Sequence, residues 1–408
     1  MAESSVSPPS GESPAVSMPL AASAVAEAGM DVWELSERAA RRAEAGEDII
    51  LLTVGDIDSP TPECIVDAAT RSLRAGRTHY APIPGTPALR AAVARSAALR
   101  VKVQFEARNV VIFPGAQCAL FSAMHCVAGP GDEVILLEPS YATYALVVAA
   151  CGAQAVRVCL SPEEGFPLDV DRIARVLSPR CRAIVVNSPN NPCGAVFRQD
   201  ALAELVQLCA RNRVWILSDE VYAGFAFDVQ HVSPASLPDG AECSVVIDSL
   251  SKSHAMTGWR IGWTIAPLSL TRRLERLAEA QLFSSPTFIQ DAAVVALEQA
   301  QAITQGLRRD FLRRRDLFLE GLEGCLQLRS FAPQGGMFVL VDVSKSGLSA
   351  QDFARKLLDE GGVAVVPGNA FGSSVAGSVR VALNQPEERL IEGCRRIRRF
   401  VERLDPIR

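Results

Sequence analysis

The stretch Val245-Val-Ile-Asp-Ser-Leu-Ser-Lys-Ser-His-Ala-Met-Thr-Gly-Trp-Arg-Ile-Gly-Trp-Thr-Ile265 decides how the rest of the chain is read. It opens on a short apolar run, 245–247, that fits a buried strand and empties into Ser249, Ser251 and Lys252. Arg260 follows eight residues after the lysine, and Gly258 and Gly262 lead into a second apolar run. Lys252 is one of only four lysines, with Lys102, Lys345 and Lys356, among 41 basic residues. Arginine does not deprotonate in a protein, whereas a lysine amine can, and can then attack a carbonyl. A lysine kept beside apolar sequence reads as a nucleophile, although a surface lysine in a polar loop would look the same in isolation.

Working outward, short apolar runs alternate with helical patterns. The expected strands are 110–113, 133–137, 155–159, 183–187, 214–218, 245–247 and 262–265, with helices such as 116–127, 144–150 and 201–209 between them. β-branched runs without polar alternation imply strands buried on both faces. The fold class expected is therefore α/β, a mostly parallel seven-stranded sheet between helices. Before it come a helix over 32–45, a strand-like run over 49–55, a helix over 63–75 and a Pro/Gly loop carrying Tyr80. After about residue 297 a long charged helix, 301–324, leads to strand-like runs at 335–342, 363–367 and 379–382, with helices around 350–359 and at the C-terminal end. This reads as a second, smaller α/β domain. The expected division is a disordered tail (1–29), a segment joining the small domain (30–60), a large domain (61–300), and a connecting helix with the small domain (301–408).

In open α/β sheets, ligands gather outside the carboxyl ends of the strands. Four of the expected strands end there in polar groups. The first passes through Pro114-Gly-Ala-Gln-Cys118 into a helix, whose amide end can hold a phosphate, though a plain turn has the same form. Another ends in Ser188-Pro-Asn-Asn-Pro-Cys-Gly194, a rigid loop with Asn191 at its centre, or ordinary Asn-Pro punctuation. A third ends in Asp219-Glu-Val-Tyr222; a buried acid there is costly unless paired, while an aspartate could also cap a helix. The fourth delivers Lys252. A phosphate cradle, an amide, an acid with a tyrosine, and an amine with an arginine together suit pyridoxal 5′-phosphate, whose aldehyde a lysine carries and whose ring nitrogen a carboxylate keeps protonated.

On these motifs the chain resembles the class I/II aminotransferases of the aspartate aminotransferase superfamily, fold type I, over residues 33–403. The resemblance implies Lys252 as the Schiff-base and proton-shuttling residue and Asp219 as the partner of the pyridine nitrogen. It implies Asn191 and Tyr222 at the phenolate oxygen and Tyr141 stacked on the ring. Ala116, Gln117, Ser249, Ser251 and Arg260 would hold the phosphate. Tyr80 would reach the phosphate of a neighbouring subunit, which implies a homodimer with shared sites. Arg380 would clamp the substrate carboxylate, with Gly55 and Asn191 also facing substrate. The implied activity is ping-pong transamination between an L-amino acid and a 2-oxo acid, with Lys252, Asp219 and Tyr222 catalytic. β-Elimination, as in C–S lyases, or transamination with another specificity (alanine, aromatic or aspartate) is the alternative on the same scaffold.

The resemblance implies that a dicarboxylate-specific member would bind the substrate side chain with an extra arginine contributed across the dimer. The matching stretch 280–286 carries none, which speaks against a strict aspartate or glutamate preference. The runs Gly115-Ala-Gln-Cys-Ala-Leu120, His231-Val-Ser-Pro-Ala-Ser-Leu-Pro238 and Ser285-Pro-Thr-Phe-Ile-Gln-Asp-Ala292, with the lysine motif itself, resemble the arginine–pyruvate transaminases. That likeness implies arginine and pyruvate. A guanidinium would need a carboxylate, for which Asp56 and Asp58 are the nearby candidates.

The bulk properties narrow the field further. At 408 residues and 49% hydrophobic, the chain can bury two cores. A net charge of −5 leaves no footprint for nucleic acid, and the arginine clusters 313–315 and 395–399 read as solvated helix faces. Eleven cysteines without a C-x-x-C pair fit a reducing compartment rather than disulfides or zinc, and four scattered histidines offer no metal pair. No apolar run is long enough to span a bilayer. The first 29 residues lack Lys and Arg, unlike a secretory or mitochondrial leader, so the cytoplasm is the expected location. His254, Trp259 and Trp263 are expected to pack.

Overall fold

Strand pairing organises the described residues around two larger sheets and one two-stranded pair. The computed structural model describes residues 33–101 and 105–404, so the expected tail over 1–29 lies outside the described residues. A short strand β1 (Ile50–Leu51) precedes the seven expected ones: β2 (Val110–Phe113), β3 (Glu133–Glu138), β4 (Gln154–Cys159), β5 (Cys181–Asn187), β6 (Trp215–Asp219), β7 (Ser244–Ser249) and β8 (Gly262–Ile265). These seven form one sheet in the order β2-β8-β7-β6-β5-β3-β4. All neighbours pair parallel except those of β8, which runs antiparallel to both β2 and β7. The expectation of a mostly parallel α/β sheet therefore holds. Every residue of β2, β3, β7 and β8 is buried, as β-branched runs covered on both faces require. β4, at one edge of the sheet, is the most open strand, with Gln154, Arg157 and Cys159 exposed.

Separate apolar cores lie against this sheet, one around Phe113, Leu120 and Ile247, another around Ile135, Ile184 and Ile216. Helix Ala116–Val127 matches its expected bounds. No α-helix follows Asp219: a turn and a single 3₁₀ turn (Ala223–Phe225) come next, so helix capping does not explain that aspartate.

The second sheet is antiparallel, in the order β12-β13-β10-β9, built from β9 (Arg329–Phe331), β10 (Phe338–Asp342), β12 (Val366–Pro367) and β13 (Ser378–Ala382). The expected run over 363–367 is broken at Val365; its first part, β11 (Val363–Ala364), turns away to pair in parallel with β1. The run over 49–55 gives only that two-residue strand, and then continues as loop with the Leu52 carbonyl accepting from the Ala382 amide at 2.9 Å. Ile50, Leu52 and Ile57 are buried in one core with Phe338, Val381 and Phe400. This packing is what carries Thr53, Gly55 and Asp56 to the junction of the two sheets.

The helix Ala300–Leu322 spans the same junction, with Phe311 and Phe318 buried in that core. The arginine clusters are more than solvated faces. Arg314 and Arg315 are largely covered and pair with Asp58 and Asp228, and Arg396 reaches Asp48. Their long apolar stems cover the joint while their charges find carboxylates far away in sequence.

Candidate active site

Twelve of the thirteen residues singled out in the sequence line one cavity at the carboxyl edge of the seven-stranded sheet. Five of the strands contribute, at or just past their ends. Ala116 and Gln117 follow β2, Tyr141 follows β3, Asn191 follows β5, Asp219 ends β6 with Tyr222 close behind, and Ser249 ends β7. Ser251, Lys252 and Arg260 lie on the connection that turns β7 back into the antiparallel β8. Gly55 arrives from the N-terminal segment and Arg380 from the middle of β13. Tyr80 is the exception. It is 83% exposed and packs edge-to-face on the exposed Phe283, ring centroids 4.9 Å apart.

The anion cradle depends on two glycines. Gly115 caps the helix Ala116–Val127 at φ 85°, and a side chain there would come within 2.3 Å of the Arg260 guanidinium. A side chain on Gly262 would strike the Ala116 amide at 2.7 Å. Arg260 itself adopts φ 50°, and its Nη1 donates to the Thr257 carbonyl at 2.7 Å. The result is a helix amide end, a guanidinium and the serines 249 and 251 around one spot, a donor set that suits a phosphate.

Asp219 lies beyond the cradle, buried. The Tyr144 hydroxyl donates to its Oδ2 at 2.6 Å, and the Val221 amide to its Oδ1 at 3.3 Å. Burial pushes the carboxyl up to about 6, with the tyrosine bond pulling the other way. Asn187 ties the neighbouring strand ends together: its Nδ2 donates to the Asp219 carbonyl at 3.0 Å, and its Oδ1 accepts from the Asn191 amide at 2.7 Å.

The Lys252 Nζ donates to the Gly55 carbonyl. Burial holds this amine down to about 8; the Asp56 charge opposes that shift and the Arg380 and Arg260 guanidiniums reinforce it. Gly55 accepts this contact because it has no side chain, which would otherwise run into the Phe338 ring at 2.4 Å.

Arg380 is only 1% exposed, and burial draws its guanidinium down to about 10. Its Nη1 donates to Asn191 Oδ1 at 3.0 Å and its Nη2 to the Thr53 carbonyl, while Nε has no partner. The guanidinium lies 4.2 Å from the Phe338 ring centroid and 4.7 Å from that of Phe371. Among the described residues it has no carboxylate partner. A buried guanidinium without a counter-ion is costly, and its free edge suits a bidentate carboxylate.

Comparison with known proteins agrees with this geometry. The family model of aminotransferase class I and II matches residues 47–397. The chain is 48% identical to an arginine–pyruvate transaminase of Pseudomonas aeruginosa over 369 residues, covering 90% of this chain and 94% of that one. It is 36% identical to an aspartate/prephenate aminotransferase of Thermus thermophilus, covering 88% and 92%. The solved aspartate aminotransferase of T. thermophilus with maleate superposes with a TM-score of 0.88 at 34% identity, covering 92% and 98%.

The chain is a class I and II aminotransferase.

Aminotransferases of this class use pyridoxal 5′-phosphate, and the residues present in this one fit it. The crowding at Gly115 and Gly262 leaves backbone donors and Arg260 bare for the phosphate, Asp219 can face a ring nitrogen, and Lys252 is an amine whose pKa burial lowers to about 8. Among the described residues no cluster of His, Cys, Asp and Glu could hold a metal ion, and no helix is long and apolar enough to cross a membrane.

Sequence reasoning gave no role to Trp33, Val54, Tyr144, Asn187, Thr257 or Phe338, all of which line the cavity of this aminotransferase. For Tyr144 a signal existed, since it lies three residues after Tyr141 and so on the same side of one helical turn. Phe338 and Thr257 carry no such mark. Trp259 and Trp263 pack as expected, the first donating from Nε1 to Thr61 Oγ1 at 2.9 Å and the second buried in β8.

Proposed function

We propose that this aminotransferase moves the α-amino group of arginine to pyruvate, with Lys252, Asp219 and Tyr222 as its catalytic residues. One observation carries the site assignment: a partly neutral amine, an acid and an uncompensated buried guanidinium line a single cavity although they lie at positions 252, 219 and 380. The substrate pair is supported by the arginine–pyruvate transaminase that this chain resembles at 48% identity.

The bound cofactor supplies an electron sink for the pair left when the substrate Cα–H bond breaks. Asp219 keeps the ring nitrogen protonated by offering it a carboxylate, and Tyr144 and Val221 fix that carboxylate in place. Asn191 and Tyr222 hold the phenolate oxygen, and Tyr141 covers the ring. The Gly115–Gln117 amide end, Ser249, Ser251 and Arg260 bind the phosphate. Arg380, with its guanidinium plane set by Asn191 and Thr53, takes the substrate carboxylate and so fixes which Cα bond faces Lys252. Lys252, its pKa lowered by burial, takes the proton from Cα and returns it on the other side of the transfer.

The protein acts as a homodimer, with Tyr80 completing the phosphate site of the second copy. The exposed Tyr80–Phe283 pair supports this, because an aromatic pair left in water is the kind of surface a partner covers. Eleven free cysteines support the cytoplasm as its location.

The test is a set of half-reactions of the holoenzyme with single amino acids, followed by cofactor absorbance and by assay for ammonia. The expected result is conversion of arginine to its 2-oxo acid without ammonia, and amination of pyruvate in the return half. Pyruvate and ammonia released from cystathionine with no acceptor present would contradict transamination. Rapid conversion of alanine and aromatic donors with none of arginine would remove arginine.

A further inference from the structure

Asp56 and Asp58 stand two residues apart just after Gly55, yet their surroundings differ. Asp58 is neutralised: Arg314 donates from Nη1 to its Oδ1 and from Nη2 to its Oδ2, each at 2.8 Å. Asp56 has no ion pair among the described residues. Its Oδ1 accepts from Thr257 Oγ1 at 2.6 Å and from the Ile57 amide at 2.8 Å, and its Oδ2 accepts nothing there. The carboxylate is oriented without being neutralised.

Its position matters because of what it adjoins. Asp56 follows the glycine whose carbonyl meets Lys252, and its charge acts on that amine. Thr257, which holds it, lines the same cavity as Lys252 and Arg380. That lining contains three cations, Lys252, Arg260 and Arg380, and one acid, Asp219. With a phosphate on Arg260 and a substrate carboxylate on Arg380, no arginine is left for an acidic side chain. A cationic side chain that extends past Thr257, by contrast, would meet a carboxylate in the adjoining surface hollow, which Asp56 and Thr257 line together. Trp33 and the half-exposed Val54 supply apolar walls for a methylene stem leading to it.

We propose that Asp56, through Oδ2, pairs with the distal cation of the amino donor and makes the site selective for long basic amino acids. This rests on the transaminase reading above and goes beyond it by giving selectivity to one residue and denying it to Asp58, two positions away.

The experiment measures binding to the holoenzyme by calorimetry, using 5-guanidinopentanoate, which is arginine without its α-amine and cannot turn over. Hexanoate, with a similar chain and no cation, is the control. Asp56→Asn keeps an oxygen for Thr257 and Ile57 and removes the charge; Asp58→Asn is the parallel variant. Hydrogen bonds to charged groups predict that the wild type prefers the guanidino ligand by roughly 10- to 100-fold. Asp56→Asn should shrink that preference to about threefold or less, and Asp58→Asn should retain it. The arginine-to-alanine ratio of half-reaction rates should fall in Asp56→Asn in parallel. A preference that survives Asp56→Asn, or that is lost in Asp58→Asn, overturns the proposal, as does a wild type that binds both ligands alike. In that last case conversion of other amino acids would leave transamination intact, so the two failures are distinguishable.

Discussion

The two sheets meet at one cavity and bring charge to it in opposite ways. Along the edge of the seven-stranded sheet, the polar groups satisfy one another: Asp219 has Tyr144, Asn191 has Asn187, and Arg260 has a backbone carbonyl. The four-stranded sheet contributes one guanidinium, fully buried, with neutral partners only. In the function proposed above, the difference separates a permanent seat from a transient one. A cofactor that stays can be met by a preassembled cradle, whereas a carboxylate that comes and goes must bring the counter-ion that Arg380 lacks.

Breaking the second region should hurt most. Arg380→Ala is expected to lower kcat/KM for amino acids roughly 10²- to 10³-fold, since it removes one partner of a buried, hydrogen-bonded charge pair. The loss should fall mainly on KM, with cofactor affinity affected far less. Steady-state kinetics beside a cofactor titration checks this, and an equal loss of cofactor affinity would merge the two regions that the structure separates.

A smaller change sharpens the first region. Tyr144→Phe deletes the 2.6 Å bond to Asp219 and should reduce activity by about tenfold. The pH dependence gives the more specific sign. That bond holds the Asp219 pKa down against burial, so its loss raises the pKa above its present value near 6. As pH falls through this pKa the carboxylate is lost and the cofactor grip weakens. In Tyr144→Phe that weakening should begin at a higher pH than in the wild type. A titration of cofactor affinity from pH 5 to 8 separates this from a merely structural defect, which would lower affinity without moving the midpoint.

How much of this was legible in the sequence follows the same division. The seat at the sheet edge was readable because short β-branched runs empty into Pro114-Gly, Asn191, Asp219 and Ser-x-Ser-Lys, so local pattern and chemistry coincide. Arg380 sits inside an ordinary strand pattern, and only its likeness to a known family marked it. What stayed hidden depends on partners distant in sequence. The Asp58–Arg314 pair joins residues 256 apart, and nothing near either aspartate tells which one stays un-neutralised. The two-residue β1 ends where its partner β11 ends, and β9 is a three-residue edge strand too short for a period to show. Asp219 read equally as a helix cap, and only the missing helix removed that choice.

The convergence on Lys252 is tested most directly by trapping. Apo-protein mixed with pyridoxal 5′-phosphate, reduced with borohydride and digested, should yield one pyridoxyl adduct, on Lys252, by mass spectrometry. Because the neutral amine is the nucleophile, the rate of adduct formation should rise as pH climbs through about 8, the value to which burial lowers this lysine. An adduct confined to Lys102, Lys345 or Lys356, or none on Lys252 at any pH, would contradict the site.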